Sequence, residues 1–319
     1  MPYRLRIGSR PSALAMAQAR LVEGWLKASL PGLAIEIIPI RTSGDRLASA
    51  ALAEVGGKGL FIKELEQAMA AGQVELAIHS MKDLPARLPA EFRIAAVPRR
   101  EDPRDALVSR IGGGLGALRH QARVGTSSAR RRFELLRVRP DLEMVPMRGN
   151  VDTRLAKLAA GDCDAIVLAI AGLRRLGRAD TVAPALLDER HFVPAGGQGA
   201  LAIEALGDHL LGGSEELERA VAAINDRQAA CETAAERAFL ATIGASCATA
   251  VGVRGVLDGS RMTASALLFD REGRRALDDQ VVETTLADAA PATAAELGVR
   301  LGNRMLARGA AELVGDDKP

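Results

Sequence analysis

Strand-length runs of apolar and β-branched residues alternate with stretches of helical apolar spacing twice over in this chain, which confines it to α/β architectures. Residues 5–8 read as a strand, 11–29 as a helix stopped at Pro31 and Gly32, and 34–40 as the next strand. After the glycine-rich Val55-Gly-Gly-Lys-Gly59, residues 60–71 have amphipathic spacing ended by Gly72, and 74–78 form a third strand. The order restarts at Arg123: strand 124–125, helix 128–138, strand 143–147, helix 151–160 with Gly161 as its stop, and strand 165–169. With 319 residues the chain exceeds one hydrophobic core, and with one Trp, one Tyr and six Phe its cores must be built from Ala, Val, Leu and Ile, as in helix-covered parallel sheets.

Boundaries follow from the breaks in this pattern. Pro98-Arg-Arg-Glu-Asp-Pro103 is a charged, proline-bounded linker, Gly112-Gly-Gly-Leu-Gly116 a loop, and Pro194-Ala-Gly-Gly-Gln-Gly199 a return crossing. Three domains are expected: residues 1–98 with 195–214, residues 99–194, and residues 215–319. In the last, a helix-rich stretch ends at Gly244, strands are expected at 251–257, 261–269 and 279–285, and a helix at 293–307, a smaller α/β domain with an antiparallel three-stranded sheet.

Parallel α/β units bind ligands beyond the carboxyl ends of their strands, and the distinctive residues fall there. Arg10 and Ser12 follow the first strand, His79, Ser80, Met81, Lys82 and Asp83 the third, and Thr126, Ser127, Ser128, Arg130 and Arg131 the strand that opens the second unit. Arg148 and Arg154 flank the next strand-to-helix junction, and Arg175 closes the one after. Hydroxyl residues at helix N-termini cap the helix and meet anions, and guanidinium groups grip carboxylates in pairs of bonds, so the pattern points to a polyanionic ligand. Taken singly, each arginine also reads as a surface charge, and Asp83 as an N-cap or partner of Lys82.

The 42 Lys and Arg balance 40 Asp and Glu, leaving a net charge of +2, and aromatic residues are scarce; both argue against nucleic-acid binding. Cys163, Cys231 and Cys247 lack metal-ligand or disulfide spacing, which indicates a reducing compartment and no metal centre. Cys163 and Cys231 read as core thiols, whereas Cys247, within Gly244-Ala-Ser-Cys-Ala-Thr249, sits among small residues in a loop. No signal-peptide pattern and no apolar run of spanning length is present, so a cytoplasmic protein without membrane contact is expected.

Seven motifs resemble, in the same order, those of porphobilinogen deaminases (hydroxymethylbilane synthases): Ile7-Gly-Ser-Arg-Pro-Ser-Ala, Val55-Gly-Gly-Lys-Gly-Leu-Phe, His79-Ser-Met-Lys-Asp-Leu-Pro, Glu101-Asp-Pro-Arg-Asp-Ala, Val124-Gly-Thr-Ser-Ser-Ala-Arg-Arg, Arg148-Gly-Asn-Val-Asp-Thr-Arg-Leu and Pro194-Ala-Gly-Gly-Gln-Gly-Ala. The resemblance implies two lobes of the type II periplasmic-binding-protein kind with a cleft between them, and a third domain carrying a cysteine. It implies a dipyrromethane cofactor on Cys247 and a monomeric transferase that deaminates four porphobilinogen molecules and joins them into hydroxymethylbilane. Asp83 matches the catalytic carboxylate. Ser80, Lys82, Thr126, Ser127, Ser128, Arg130, Arg131 and Arg148 match positions that hold cofactor, and Arg10, Ser12, Arg148, Arg154 and Arg175 positions that hold substrate. Lys58 matches a mobile loop. Ala250 departs from the pattern, standing where the family commonly has proline. The competing expectation is a two-lobed solute-binding protein without catalysis, which leaves the third domain and the thiol loop unexplained.

Overall fold

Two five-stranded sheets with the same spatial plan, and a three-stranded one, organise the residues described in the computed structural model, which are 4–46, 62–207, 214–246, 248–283 and 290–315. In chain order the first elements are β1 (Arg4–Ser9), α1 (Ala13–Ser29), β2 (Ala34–Pro39), α2 (Ser43–Arg46), α3 (Lys63–Ala70), β3 (Leu76–Ser80) and β4 (Phe92–Ala96). There follow β5 (Asp105–Ser109), β6 (Arg123–Gly125), α4 (Ala129–Val138), β7 (Glu143–Val145), α5 (Val151–Ala160), β8 (Ala165–Ala169), α6 (Ile170–Arg175), α7 (Ala179–Val182) and β9 (Ala185–Leu186). The chain ends with β10 (Leu201–Leu206), α8 (Glu215–Ala223), α9 (Arg227–Thr242), β11 (Val251–Asp258), β12 (Arg261–Phe269), β13 (Ala276–Glu283), α10 (Pro291–Ala307) and α11 (Ala310–Val314).

The first sheet runs β2-β1-β3-β10-β4, with β1 parallel to β2 and β3, and β10 antiparallel to both its neighbours. The second runs β7-β6-β8-β5-β9, with β6 parallel to β7 and β8, and β5 antiparallel to both its neighbours. Each is a parallel α/β core into which one reversed strand is inserted, the plan of a type II periplasmic-binding-protein lobe. The three-stranded antiparallel sheet β11-β12-β13 completes the fold class expected from the sequence.

By its internal contacts the chain divides into residues 1–101 with 200–230, and residues 102–199 with 231–319. In the first unit, Leu5, Ile7, Leu76 and Ile203 pack against Val22 and Leu26 of α1 on one face of the sheet. Helix α8, grouped with the C-terminal part in the sequence analysis, joins that core: Leu217, Ala220 and Val221 are buried in it. Burial of a Leu or Val side chain contributes about 1.5–3 kcal/mol, so its apolar stripe decides where this helix goes. On the opposite face α3 buries Leu65, Ala68 and Met69.

In the second unit the core lies on both faces of its five-stranded sheet, and a separate core forms between the three-stranded sheet and α9 and α10, from Phe239, Val253, Met262, Leu297 and Leu301 among others. Cys163 and Cys231 are buried, as expected. Gly161, the expected stop of α5, ends it in the left-handed region at φ 87°. Observed elements otherwise shift by a few residues: the third strand occupies 76–80, and β13 begins at Ala276. Of the expected helix 60–71, residues 63–70 are helical, and its first two lie outside the described residues. Among the described residues no helix is long and apolar enough to cross a membrane.

Helix α10 crosses α9 at Gly298, where an added Cβ would run into the Ala235 carbonyl. Backbone on the other side cannot move aside as a side-chain tip does. Gly298→Ala is therefore expected to destabilise the protein by about 1–3 kcal/mol, read as a lower urea midpoint, whereas Gly24→Ala, where an added Cβ meets nothing, leaves it unlowered.

Candidate functional site

Parallel pairing of β1 with β3, Gly8 beside Ala77, brings the carboxyl ends of these strands together in the first unit. From the end of β1 the chain turns into α1 through Ser12, whose side chain accepts from the Ala15 N–H at 3.3 Å and caps the helix. From the end of β3 it enters a 3-10 turn, Met81–Asp83. Gln18 of α1 and Ser80 of β3 exchange hydrogen bonds of 2.9 and 3.2 Å, which ties the two junctions to each other. Arg10, beside them, donates from Nε to Asp45 Oδ1 at 3.1 Å. Burial works to raise the Asp45 carboxyl, but bonds from Arg10 and from Thr42 outweigh it and hold it below its ordinary value.

The turn itself is anchored at both ends. Met81 and Leu84 are buried, the Met81 N–H donates to the Ala200 carbonyl at 3.0 Å, and the Leu84 N–H closes back on the Met81 carbonyl at 3.1 Å. Lys82 and Asp83 are left exposed between two plugs of core. Among the described residues nothing hydrogen-bonds the Asp83 carboxylate, so the structure presents a fixed and accessible negative charge. The N-cap and Lys82-partner readings of Asp83 find no such bond here.

In the second unit β6 lies between β7 and β8, both parallel to it, so three strand ends converge. Ser128 caps α4 by accepting from Arg131 N–H at 3.4 Å, and Asn150 caps α5 by accepting from Thr153 N–H at 2.8 Å. Thr126 accepts from Ser128 N–H at 3.2 Å, while Ser127 Oγ donates to the Met147 carbonyl at 3.0 Å and accepts from its N–H at 3.1 Å. These hydroxyls build the junction. Arg148 is exposed, and Arg175, half-buried, donates to the Gly199 carbonyl at 2.6 Å. Arg154 donates from Nε to the Gly149 carbonyl at 2.8 Å and, among the described residues, pairs with no carboxylate. Burial first, and the charge of Arg131 second, draw its pKa down. A half-buried cation without a counter-ion is costly in the free protein and is relieved by an anionic ligand.

Arg130 and Arg131 behave differently from what their strand-end position suggests: both turn inward and are buried. Arg130 donates to Asp105 Oδ2 at 2.8 Å, to Glu134 Oε2 at 2.8 Å and to the Val193 carbonyl at 2.7 Å. Arg131 donates to Asp105 Oδ1 from Nε at 3.1 Å and from Nη2 at 2.7 Å. Burial would raise the Asp105 carboxyl, but the two arginine charges prevail and hold it well below the carboxylate range. Burial pushes Glu134 up to about 8 in spite of Arg130. Asp105, Glu134 and Gln198 belong to this site, and sequence reasoning assigned them no chemistry. The signal was present in two quoted motifs, which contain Asp105 and Gln198. Lys58 and Cys247 lie outside the described residues. Beside the latter, Ser246 N–H donates to Thr249 Oγ1 at 2.9 Å, and Ala250 is buried with Phe133 and Phe269.

Two family models match the chain, one described as the porphobilinogen deaminase dipyromethane cofactor binding domain over residues 5–210, the other as the porphobilinogen deaminase C-terminal domain over residues 230–307. The chain belongs to the porphobilinogen deaminase family. Curated relatives named porphobilinogen deaminase include that of Trichlorobacter lovleyi, 42% identical over 315 residues, covering 99% of this chain and 97% of the relative. Those of Roseiflexus castenholzii, 44% identical over 98% of this chain and 99% of the relative, and Caulobacter vibrioides, 44% identical over 96% of each, are similar. Among solved structures, the methionine binding protein MetQ aligns with a TM-score of 0.42 at 11% identity, over 70% of this chain and 91% of that one, too loosely to add to what the sheets show. Seen as a porphobilinogen deaminase, the chain places its strand-end serines, guanidiniums and Asp83 inside the first matched domain.

Glu134 supplies a pH test. Its folded pKa of about 8 lies above the ordinary 4.5, so through that interval the folded state keeps a proton that the unfolded chain has lost. Stability contributed by this group is full below the lower value and is lost as pH rises towards the upper. Glu134→Gln, neutral at every pH, is expected to flatten that decline when urea midpoints are measured across the interval.

Proposed function

We infer that this chain is an enzyme of tetrapyrrole biosynthesis, which releases ammonia from four molecules of porphobilinogen and joins them into linear hydroxymethylbilane. The observation that carries the reading is that the first unit presents one accessible, rigidly held carboxylate, Asp83, at a strand end, and the second keeps guanidinium groups at its own strand ends, Arg154 without a counter-ion among the described residues. Porphobilinogen carries two carboxylates and gains positive charge when its amino group leaves. The described residues are suited to both demands.

Dipyrromethane, attached through the sulfur of Cys247, supplies the nucleophilic pyrrole carbon on which the units are joined. Uncompensated positive charge at Arg154 and the capped N-termini of α4 and α5 fit its acetate and propionate groups. Ser80, Lys82, Thr126, Ser127, Ser128, Arg130, Arg131 and Arg148 form its surroundings, and Arg10, Ser12, Arg148, Arg154 and Arg175 hold the carboxylates of substrate. For Arg130 and Ser127, whose donors are largely engaged within the fold, the contribution is a fixed field and a fixed backbone, while Arg131, with four donors engaged, keeps one Nη1 hydrogen for a carboxylate of the cofactor. Arg10 shares its guanidinium between Asp45 and substrate.

Asp83 acts in two ways. Its fixed negative charge accepts hydrogen bonds from pyrrole N–H groups and stabilises the cation left when ammonia departs, and no reorientation of solvent is needed at that moment. It is also placed to take the proton released when the pyrrole regains aromaticity. Lys82, on the same turn, holds a neighbouring carboxylate. The protein works as a monomer in the cytoplasm on a small-molecule substrate, without nucleic acid or membrane, in keeping with its near-balanced charge and its buried thiols at Cys163 and Cys231.

Intact mass tests the reading. The purified protein is expected to exceed the mass of its polypeptide by one dipyrromethane, an increment lost in Cys247→Ser and kept in Cys163→Ser and Cys231→Ser; a bare polypeptide would overturn it in favour of a solute-binding protein. Asp83→Asn keeps size and fold and is expected to lower kcat by about 10²–10³-fold or more, measured as hydroxymethylbilane formed from porphobilinogen.

A further inference from the structure

Residues 193–198 bracket the arginine pair. At one end the Val193 carbonyl accepts from Arg130 Nη1 at 2.7 Å; at the other, Gln198, 1% exposed, reaches the far side of the cluster. Its Nε2 donates to the Pro103 carbonyl at 2.7 Å and to Asp105 Oδ1 at 2.8 Å, and its Oε1 accepts from Arg131 Nη2 at 3.3 Å. The amide has no choice of orientation. A guanidinium offers donors alone and an ionised carboxylate acceptors alone, so the oxygen must face Arg131 and the nitrogen Asp105. Of the cluster's side chains only this neutral amide joins the cation and the anion through both a donor and an acceptor.

The segment is itself anchored, since Val253 N–H donates to the Pro194 carbonyl at 2.9 Å and Gly197 N–H to Glu236 Oε2 at 2.6 Å. Gln198 is therefore a fixed post against which Arg131 is set. Four donors of Arg131 are engaged, by Asp105, Gln198 and the Val167 carbonyl, which leaves one Nη1 hydrogen. The direction of that hydrogen, and the place of the charge that acts on Arg154, depend on how the guanidinium is seated.

We propose that Gln198 is a positioning residue for carboxylate binding: by seating Arg131 on Asp105 it sets the cation that receives the acidic side groups of dipyrromethane, while touching no ligand itself. This rests on the function inferred above. Asp105 is the hub of the same device, but its removal strands two buried arginines; Gln198 tests the idea with less damage.

Gln198→Met keeps length and volume and removes both the donor and the acceptor. Gln198→Glu keeps the reach but cannot donate to Asp105. Leu118→Ala, a truncation in the core of the same unit, serves as a destabilised control. Each protein, made in cells unable to supply porphobilinogen, is then given porphobilinogen and followed by intact mass, with melting temperatures recorded alongside. Parent and Leu118→Ala are expected to gain the dipyrromethane mass at similar rates, and both Gln198 variants about tenfold more slowly, the worth of one charge-assisted bond. The deficit is expected to narrow as porphobilinogen is raised, as weakened binding requires and a smaller folded fraction does not. Loading of both Gln198 variants at the parental rate would overturn the proposal, as would equally slow loading by a Leu118→Ala of matching melting temperature. A parent that never gains the mass would overturn the function inferred above instead.

Discussion

Parallel strand pairing is the constraint on which the site depends. With β1, β2 and β3 running one way, and β6, β7 and β8 likewise, successive strands must leave their sheet at the same edge, and the helices α1, α4 and α5 begin there. Unpaired N–H groups of first turns are thereby gathered along one rim of each unit, where Ser12, Ser128 and Asn150 cap them. Asp83 owes its place to the same rule, since it follows a strand fixed on one side by β1 and on the other by β10.

Electrostatics inside the second unit then decide which charges remain for a ligand. Asp105 draws Arg130 and Arg131 into the interior, and burying a carboxylate and two guanidiniums is tolerable because each is bonded several times over. Burial pushes Glu134 up to about 8 even though it accepts from Arg130, whose own pKa Glu134 helps to raise. At Arg154 burial, and after it the charge of Arg131, draws the pKa down, and among the described residues no carboxylate pairs with it. Through Arg131 the interior ion cluster thus acts on the charge at Arg154.

Much of this was legible in the residues. Hydroxyls at Ser12 and Ser128 marked two helix starts and Gly161 a stop, because capping is a matter of local geometry. Cys163 and Cys231 were readable as core from their apolar neighbours. The reversed strands β5 and β10 were not: each is buried along most of its length, which erases the alternation that betrays a half-exposed strand, and Glu204 in the middle of β10 looks out of place until it is found 2.8 Å from His79 Nε2 on β3. Nor could the inward turn of Arg130 and Arg131 be read, since Asp105 lies on another strand and Gln198 on a distant segment. A run of three arginines, 130–132, reads as surface in any local window.

The insertion of β10 into the first sheet has a consequence for synthesis. Its partners β3 and β4 leave the ribosome well before it, and between them and it lie all five strands of the second sheet. Until Leu206 has emerged, the nascent first unit carries two unpaired strand edges and a lone His79 awaiting its acid, a state prone to wrong pairing. The N-terminal half of the chain must wait, half-knit, for a thread that arrives late.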